Sequence, residues 1–213
     1  MIPSLPHGVV LVIACLAAFA IGSMPVGLVI AKSKGIDLRS IGSGNIGATN
    51  VMRAMGKEAA LLTLIGDMAK GAAAIGIAKA LALGGLYEGV LGLFAILGHD
   101  FSLFLRFRGG KGVATSLGVV LMLSPHVALF TATLWILTAK WTKYSSLSAL
   151  ISFGLLPLSF YMIEPSTEKI TIAAAITALI FVRHVENIKR LVQGTESKIG
   201  GKKNKPTTPG NTS

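Results

Sequence analysis

The chain has a single cysteine, Cys15, set inside an apolar run. It therefore has no means of closing a disulfide or building a cysteine metal site on its own. Charge is also scarce. Asp, Glu, Lys and Arg make up 14% of the 213 residues, where soluble domains carry about 25%. Acids are the scarcer sign, 9 against 20 Lys and Arg, which gives a formal net charge of +11. The four histidines and few acids lack metal-ligand spacing, so neither a metal nor a cofactor is expected. What replaces charge is apolar: 52% of the residues are hydrophobic, in runs long enough to place the chain in the membrane class.

The apolar runs fall at 8–31, 58–83, 87–105, 113–123, 126–139, 146–163 and 169–182. The stretch from Gly8 to Ile30 is too long for a signal h-region and has no basic segment before it, so it reads as a retained transmembrane helix. Ser124-Pro125 divides the run from Val113 to Ala139. The division gives either two short crossing helices or one helix kinked at the proline. Charge decides between them. Lys and Arg concentrate in 32–57, 106–111, 140–143 and 183–205, whereas GGLYE, SPH and EPSTEK hold only Lys169. Seven crossings put every basic loop on one side, with the N-terminus outside and the C-terminus in the cytoplasm. The expected fold is thus an all-α integral membrane protein with about seven transmembrane helices, some broken or re-entrant. Residues 1–197 form one domain, and 198–213 are a disordered basic and polar tail. The positive charge reads as a cytoplasmic face meeting anionic headgroups, with no nucleic-acid partner.

Three of the cytoplasmic segments share an unusual chemistry. IGSGNIGATN at 41–50 satisfies the dinucleotide pattern through Gly42, Gly44 and Gly47, and Asp67 stands where the ribose-binding acid belongs. That pattern needs a preceding β-strand in a parallel sheet. Here an apolar span precedes it and another follows, so a dinucleotide site is rejected. RGGKG at 108–112 is not a Walker A loop, because Leu105 stands where a glycine is required. Glycines instead let backbone N–H groups converge. Beside Lys111 and a helix start near Val113 they make an anion site. Asp67 and Lys70, three apart on one helix face, read as a structural ion pair anchoring the first loop.

SGNIGATNV at 43–51, FRGGKGVATSLG at 107–118 and HVENIKRLVQGTE at 184–196 together resemble the three signature segments of the bacterial acyl-phosphate:glycerol-3-phosphate acyltransferases, the PlsY family. GDMAKG at 66–71 and GHDF at 98–101 resemble further family features. Ser102 stands where members often have proline, which would alter the loop's approach angle, and Arg108 where they often have lysine. No His-x4-Asp pair of the other large acyltransferase class is present.

The resemblance implies a multi-pass enzyme of the bacterial inner membrane with its active site facing the cytoplasm. It would move a fatty acyl group from acyl phosphate to the sn-1 hydroxyl of glycerol 3-phosphate, giving lysophosphatidic acid and phosphate. A functional link to the soluble enzyme that makes acyl phosphate is implied as well. Gly109, Gly110, Gly112 and Lys111, with Arg53, are assigned to phosphate binding. Ser43 and His99 would lie near the reacting hydroxyl. Asn187 with His184 would complete the site, while Asn45, Thr49 and Asn50 would shape the first loop and donate to oxygen. Glu196 would brace a basic neighbour. The proton goes either to His99, with Ser43 acylated, or to the donor's own phosphate. The second is preferred, because no acid within the motifs orients a Ser–His pair. An organophosphate transporter is the alternative, opposed by the lack of an internal repeat.

Overall fold

A computed structural model describes residues 6–200, which form eleven α-helices and, among the described residues, no strand. The first apolar run is not one helix. It divides into α1 (His7–Ser23) and α2 (Val26–Lys32). Pro25 is the cause: proline has no N–H and pushes the residue before it out of the helical region. Met24 accordingly sits at φ −59°, ψ 118°. α3 (Ala48–Met55) is a short amphipathic helix after the glycine loop, and α4 (Lys57–Ala80) covers the second run. α5 (Gly85–Asp100) ends earlier than the third run, which continues into a 3₁₀ turn at Leu103–Leu105.

α6 (Val113–Leu123) and α7 (Pro125–Thr142) meet at Ser124 as two separate helices. The Ser124 hydroxyl accepts from the Val127 N–H at 3.3 Å, and Pro125 opens α7 where its missing N–H costs nothing. α8 (Ser145–Gly154) and α9 (Leu156–Ile163) bend by 41° beside Pro157. α10 (Thr167–Arg183) and α11 (Val185–Val192) bend by 60° at His184. His7–Lys32, Lys57–Ala80 and Gly85–Leu105 are each long and apolar enough to cross a membrane, and the two bent pairs raise the number to five. α6 and α7 are the further segments that a seven-crossing topology requires.

The main core gathers Ile75, Ile96, Val119, Phe153, Phe160 and Ile176 from α4, α5, α6, α8, α9 and α10. Close backbone approach fixes α5 within it. A Cβ on Gly22 would collide with the Ala95 carbonyl, and one on Gly98 with the Phe19 carbonyl. Small residues at such crossings let helices pack without a side chain between them. The outer faces remain apolar: Leu16, Val29, Leu62, Leu129 and Met162 are exposed, as lipid contact demands.

Ser102 has a φ of −59°, a value that proline also adopts. Its hydroxyl donates to the Ser23 carbonyl at 2.5 Å, tying the turn to the end of α1. Of the expected C-terminal tail, residues 201–213 lie outside the described residues.

Candidate active site

The site begins where α5 ends in His99-Asp100 and the chain doubles back. The Gly109 N–H donates to the Asp100 carbonyl at 3.1 Å, and the Gly110 N–H donates to the His99 carbonyl at 2.9 Å. This contact leaves no room for side chains. A Cβ on Gly109 would strike the His99 carbonyl oxygen, and one on Gly110 would strike the His99 ring at Nε2. Gly112, at φ +70°, then leads directly into α6. Thr115 and Ser116 are fully buried in its first turn.

Two residues outside the sequence-based assignment hold this loop. Arg183, at the end of α10, donates to the Gly110 carbonyl through Nη2 at 2.8 Å and Nε at 3.2 Å, and lies over the Phe101 ring at 4.9 Å. Asp100 is fully buried, and a Cβ on Gly112 would stand 3.1 Å from its Oδ1. The signals for both were present but general: Arg183 directly precedes His184, and Asp100 lies within GHDF.

His99 is buried as well. Its Nδ1 lies 3.0 Å from Lys70 Nζ and 3.6 Å from Asp67 Oδ1. Nδ1 thus faces Lys70 and Asp67 together, while Nε2 faces Gly110. Lys70 also pairs with Asp67 Oδ1 at 2.7 Å and donates to the Met24 carbonyl at 2.8 Å, in the break between α1 and α2. The Asp67–Lys70 pair is thus structural, but it ties the broken first span and His99 rather than the first loop. The acid missing from the motifs comes from α4, with Lys70 placed between it and the imidazole.

In the first loop Gly42 and Gly44 take positive φ, +57° and +66°. Asn50 is buried; its Oδ1 accepts from the Ser43 N–H at 3.1 Å and its Nδ2 donates to the Leu38 carbonyl at 3.0 Å. It therefore builds the loop from behind. Thr49 Oγ1 lies 3.0 Å from Ser145 Oγ at the start of α8. Asn45 is half-buried beside Gly47. Ser43 is exposed, and no hydrogen bond joins it to His99 among the described residues. Arg53, on α3, reaches across to the carbonyls of Ser197 and Lys198 at 3.2 and 3.4 Å.

The third segment closes the network. Lys111 Nζ donates to Asn187 Oδ1. Asn187 Nδ2 donates to Glu196 Oε1 at 2.7 Å, as does Ser146 Oγ at 2.8 Å, while Arg190 Nε donates to Glu196 Oε2 at 2.7 Å. His184 is buried at the α10–α11 bend, its Nδ1 2.7 Å from the Ile180 carbonyl. Burial tends to raise the Glu196 pKa, but the bonds from Arg190, Asn187 and Ser146 hold it below the ordinary range. Lys111 is pushed down to about 8 by burial and then by Arg190, with Arg183 and Arg53 acting the same way against Glu196. Lys111, Arg190 and Arg53 therefore gather around Glu196, while Arg183 lies between them and Asp100. The imbalance would be relieved by an anion of more than one charge.

Fold and site together define a helical integral membrane protein in which three separate loop segments bring a cluster of cationic and polar side chains together. A sequence model described as glycerol-3-phosphate acyltransferase matches residues 12–194. A glycerol-3-phosphate acyltransferase of Geotalea daltonii is 43% identical over 187 residues, 87% of this chain and 96% of the relative. One of Aromatoleum aromaticum is 46% identical over 189 residues, 88% of this chain and 96% of the relative. The crystal structure of PlsY (YgiH), an integral membrane glycerol 3-phosphate acyltransferase, in its glycerol 3-phosphate form superposes with a TM-score of 0.84 at 41% identity, covering 88% and 94% of the two chains. Its lysophosphatidic acid form gives 0.83 at 40% identity, over 88% and 94%. The chain belongs to the glycerol-3-phosphate acyltransferase family.

Proposed function

We propose that this protein transfers a fatty acyl group from acyl phosphate to the sn-1 hydroxyl of glycerol 3-phosphate, releasing lysophosphatidic acid and phosphate. The observation that carries the reading is the Lys111–Asn187–Glu196 chain beside Arg53 and Arg190. Its excess positive charge supports a site for phosphate-bearing substrates. Acyl phosphate is a mixed anhydride with a good leaving group, so positioning and electrostatics supply most of the catalysis. The hydroxyl oxygen bonds to the acyl carbon, the bond from that carbon to the bridging phosphate oxygen breaks, and the hydroxyl proton leaves with the phosphate.

In this mechanism Lys111, Arg53 and the backbone amides of Lys111 and Gly112 hold phosphate; the Gly109 and Gly110 N–H groups, expected to share that role, are committed to the Asp100 and His99 carbonyls and shape the turn instead. The exposed Ser43 hydroxyl and the Asn45 amide orient the reacting groups. Asn187 positions Lys111, and His184 fixes the bend that delivers Asn187. His99 supports the Gly109–Gly110 turn, and the donor's own phosphate serves as the base. The bilayer topology has seven crossings in the bacterial inner membrane, the N-terminus outside and the site in the cytoplasm, in reach of the soluble enzyme that makes the donor.

The test is phosphate release by the purified protein in lipid, with palmitoyl phosphate or palmitoyl-CoA as donor. Release that requires both glycerol 3-phosphate and acyl phosphate, and fails with the thioester, is the expected result. No turnover with either donor, in protein shown to be folded, would leave an organophosphate transporter as the better account. Ser43→Ala should retain turnover and trap no acyl adduct; an acyl-serine would overturn the substrate-assisted route.

A further inference from the structure

Two grooves on the outer surface meet at one side chain, Phe104. The first, of about 450 Å³, is lined by Arg39, Phe104, Leu105, Arg106 and Arg108. The second, of about 510 Å³, is apolar and lined by Met24, Pro25, Val26, Val29, Ile30 and Phe104. Both are open surface grooves rather than enclosed cavities. One end sets three arginines beside Phe104 and Leu105, and the other is hydrocarbon throughout.

The cationic end is built and unpaired. None of Arg39, Arg106 or Arg108 has a carboxylate partner among the described ion pairs. Asp37, the nearest acid in sequence, accepts the Arg39 backbone N–H at 2.9 Å. Arg39 Nη2 donates to the Arg108 carbonyl at 2.6 Å, which joins the two walls of the cleft. Arg106 and Phe107 occupy left-handed backbone, at φ +51° and +61°, a conformation that residues with a Cβ avoid. The turn is held there by Phe107 N–H donating to the Ser102 carbonyl at 2.9 Å and Arg108 N–H to the Leu105 carbonyl at 3.0 Å. Lys32, the last residue of α2, and Lys34, two residues on, are exposed and add to the positive charge of this stretch of chain.

The apolar end faces the bilayer. Met24, Val29 and Phe104 are all exposed. The groove follows α2, whose seven residues span about 10 Å, down to the break at Pro25. An anionic phospholipid has that shape and charge: an acidic headgroup over an acyl chain. Clustered cations at a membrane surface select such lipids. The transferred acyl group's own donor is the other anionic amphiphile to weigh. Against it, the lining contains none of Ser43, Arg53, Lys111 or Asn187.

We propose that this composite cleft binds an anionic phospholipid of the surrounding bilayer, with its phosphate among Arg39, Arg106 and Arg108 and one acyl chain in the Met24–Ile30 groove. The inference rests on the membrane placement of the chain and not on the acyl-transfer reaction. Bound there, the lipid would brace the Arg108–Gly109 junction from outside and make the loop sensitive to membrane charge.

The experiment is native mass spectrometry of the full-length protein in neutral detergent, titrated with phosphatidylglycerol or phosphatidylcholine of matched chains. The expected result is retention of phosphatidylglycerol at a concentration at least tenfold lower than phosphatidylcholine. The preference should vanish in Arg106→Gly/Arg108→Gln. Glycine at 106 relieves the left-handed strain, so this variant should remain folded. A separate Phe104→Ala variant should weaken both lipids together. Equal retention of the two lipids, or a preference that survives the double substitution in folded protein, would overturn the proposal. So would complete displacement of phosphatidylglycerol by a non-hydrolysable acyl phosphonate, since the cleft would then belong to the donor.

Discussion

Glu196→Gln isolates the electrostatic link between the third segment and the phosphate loop. Glu196 touches no candidate ligand position directly; it acts through Asn187, which accepts from Lys111 and donates to Glu196. Glutamine keeps the volume and an oxygen that can still accept from Asn187 and Ser146. The bond to Arg190 is lost to an opposing amide, a charge-assisted bond whose removal costs about 1.5–3 kcal/mol. The larger functional consequence concerns Lys111. Glu196 is the one acid holding the Lys111 pKa up against burial, Arg190, Arg183 and Arg53. Across one amide, opposite charges near the surface interact by roughly 1–2 kcal/mol, which corresponds to about one pH unit.

The sign follows from the cation. Lys111 titrates near 8, so it is charged below that pH and loses its grip on a dianion above it. In the wild type, KM for glycerol 3-phosphate should rise as pH passes 8, with a smaller change in kcat, because bound phosphate keeps the lysine protonated. In Glu196→Gln the same rise should begin about one unit lower, and at pH 8 the charged fraction should fall about fivefold. The assay is phosphate release across pH 6 to 9.5 at saturating acyl phosphate, with thermal unfolding in the same detergent to confirm the fold. An unchanged alkaline limb in a folded variant would refute the coupling.

Gly109→Ala should be more damaging than Gly112→Ala. The first meets His99 and Asp100 backbone, which cannot yield, whereas the second meets Ile96 Cγ2 at 3.0 Å and a left-handed φ. A loop displaced by about 1 Å loses on the order of a hundredfold in kcat/KM, and the reverse ranking in kinetics would contradict the loop geometry. Lys70→Met strands a buried carboxylate and the Met24 carbonyl, so unfolding stability should drop by about 3–5 kcal/mol, with partial recovery in Lys70→Met/Asp67→Asn. A loss below about 1 kcal/mol would remove the pair from the structural account. On the opposite side of the bundle, Glu164 is held at about 2 by Lys169 and then Ser124. A depressed carboxylate adds stability above its ordinary pKa and loses it as pH falls from 4.5 toward 2, so Glu164→Gln should flatten the acid limb of thermal unfolding. Ser124→Ala should cost about 1 kcal/mol as a lost cap.

The sequence by itself determined most of the helical plan, because apolarity and proline act locally. Ser124-Pro125 separates α6 from α7 through a side-chain cap and a missing N–H, both properties of adjacent residues. The glycines around Lys111 likewise announced a tight turn, although two of their amides close onto the Asp100 and His99 carbonyls, and Glu196 as a brace was read from the motif that carries it. The proline at 25 carried the same local signal, yet the surrounding apolar run masked it and hid the break between α1 and α2. What no local reading supplied was the pairing across segments. Asp67 and Lys70 reach His99 from a helix 29 residues away from it in sequence, Arg183 closes a loop 73 residues upstream, and Asn50 and Thr49 spend their polar atoms on the scaffold. The cleft at Phe104 is likewise made of two distant segments, one arginine-rich and one hydrocarbon. Composition reveals which residues can carry charge or bind anions. Which of them are left free to do so depends on where each hydrogen bond is satisfied, and only the packed helices decide that.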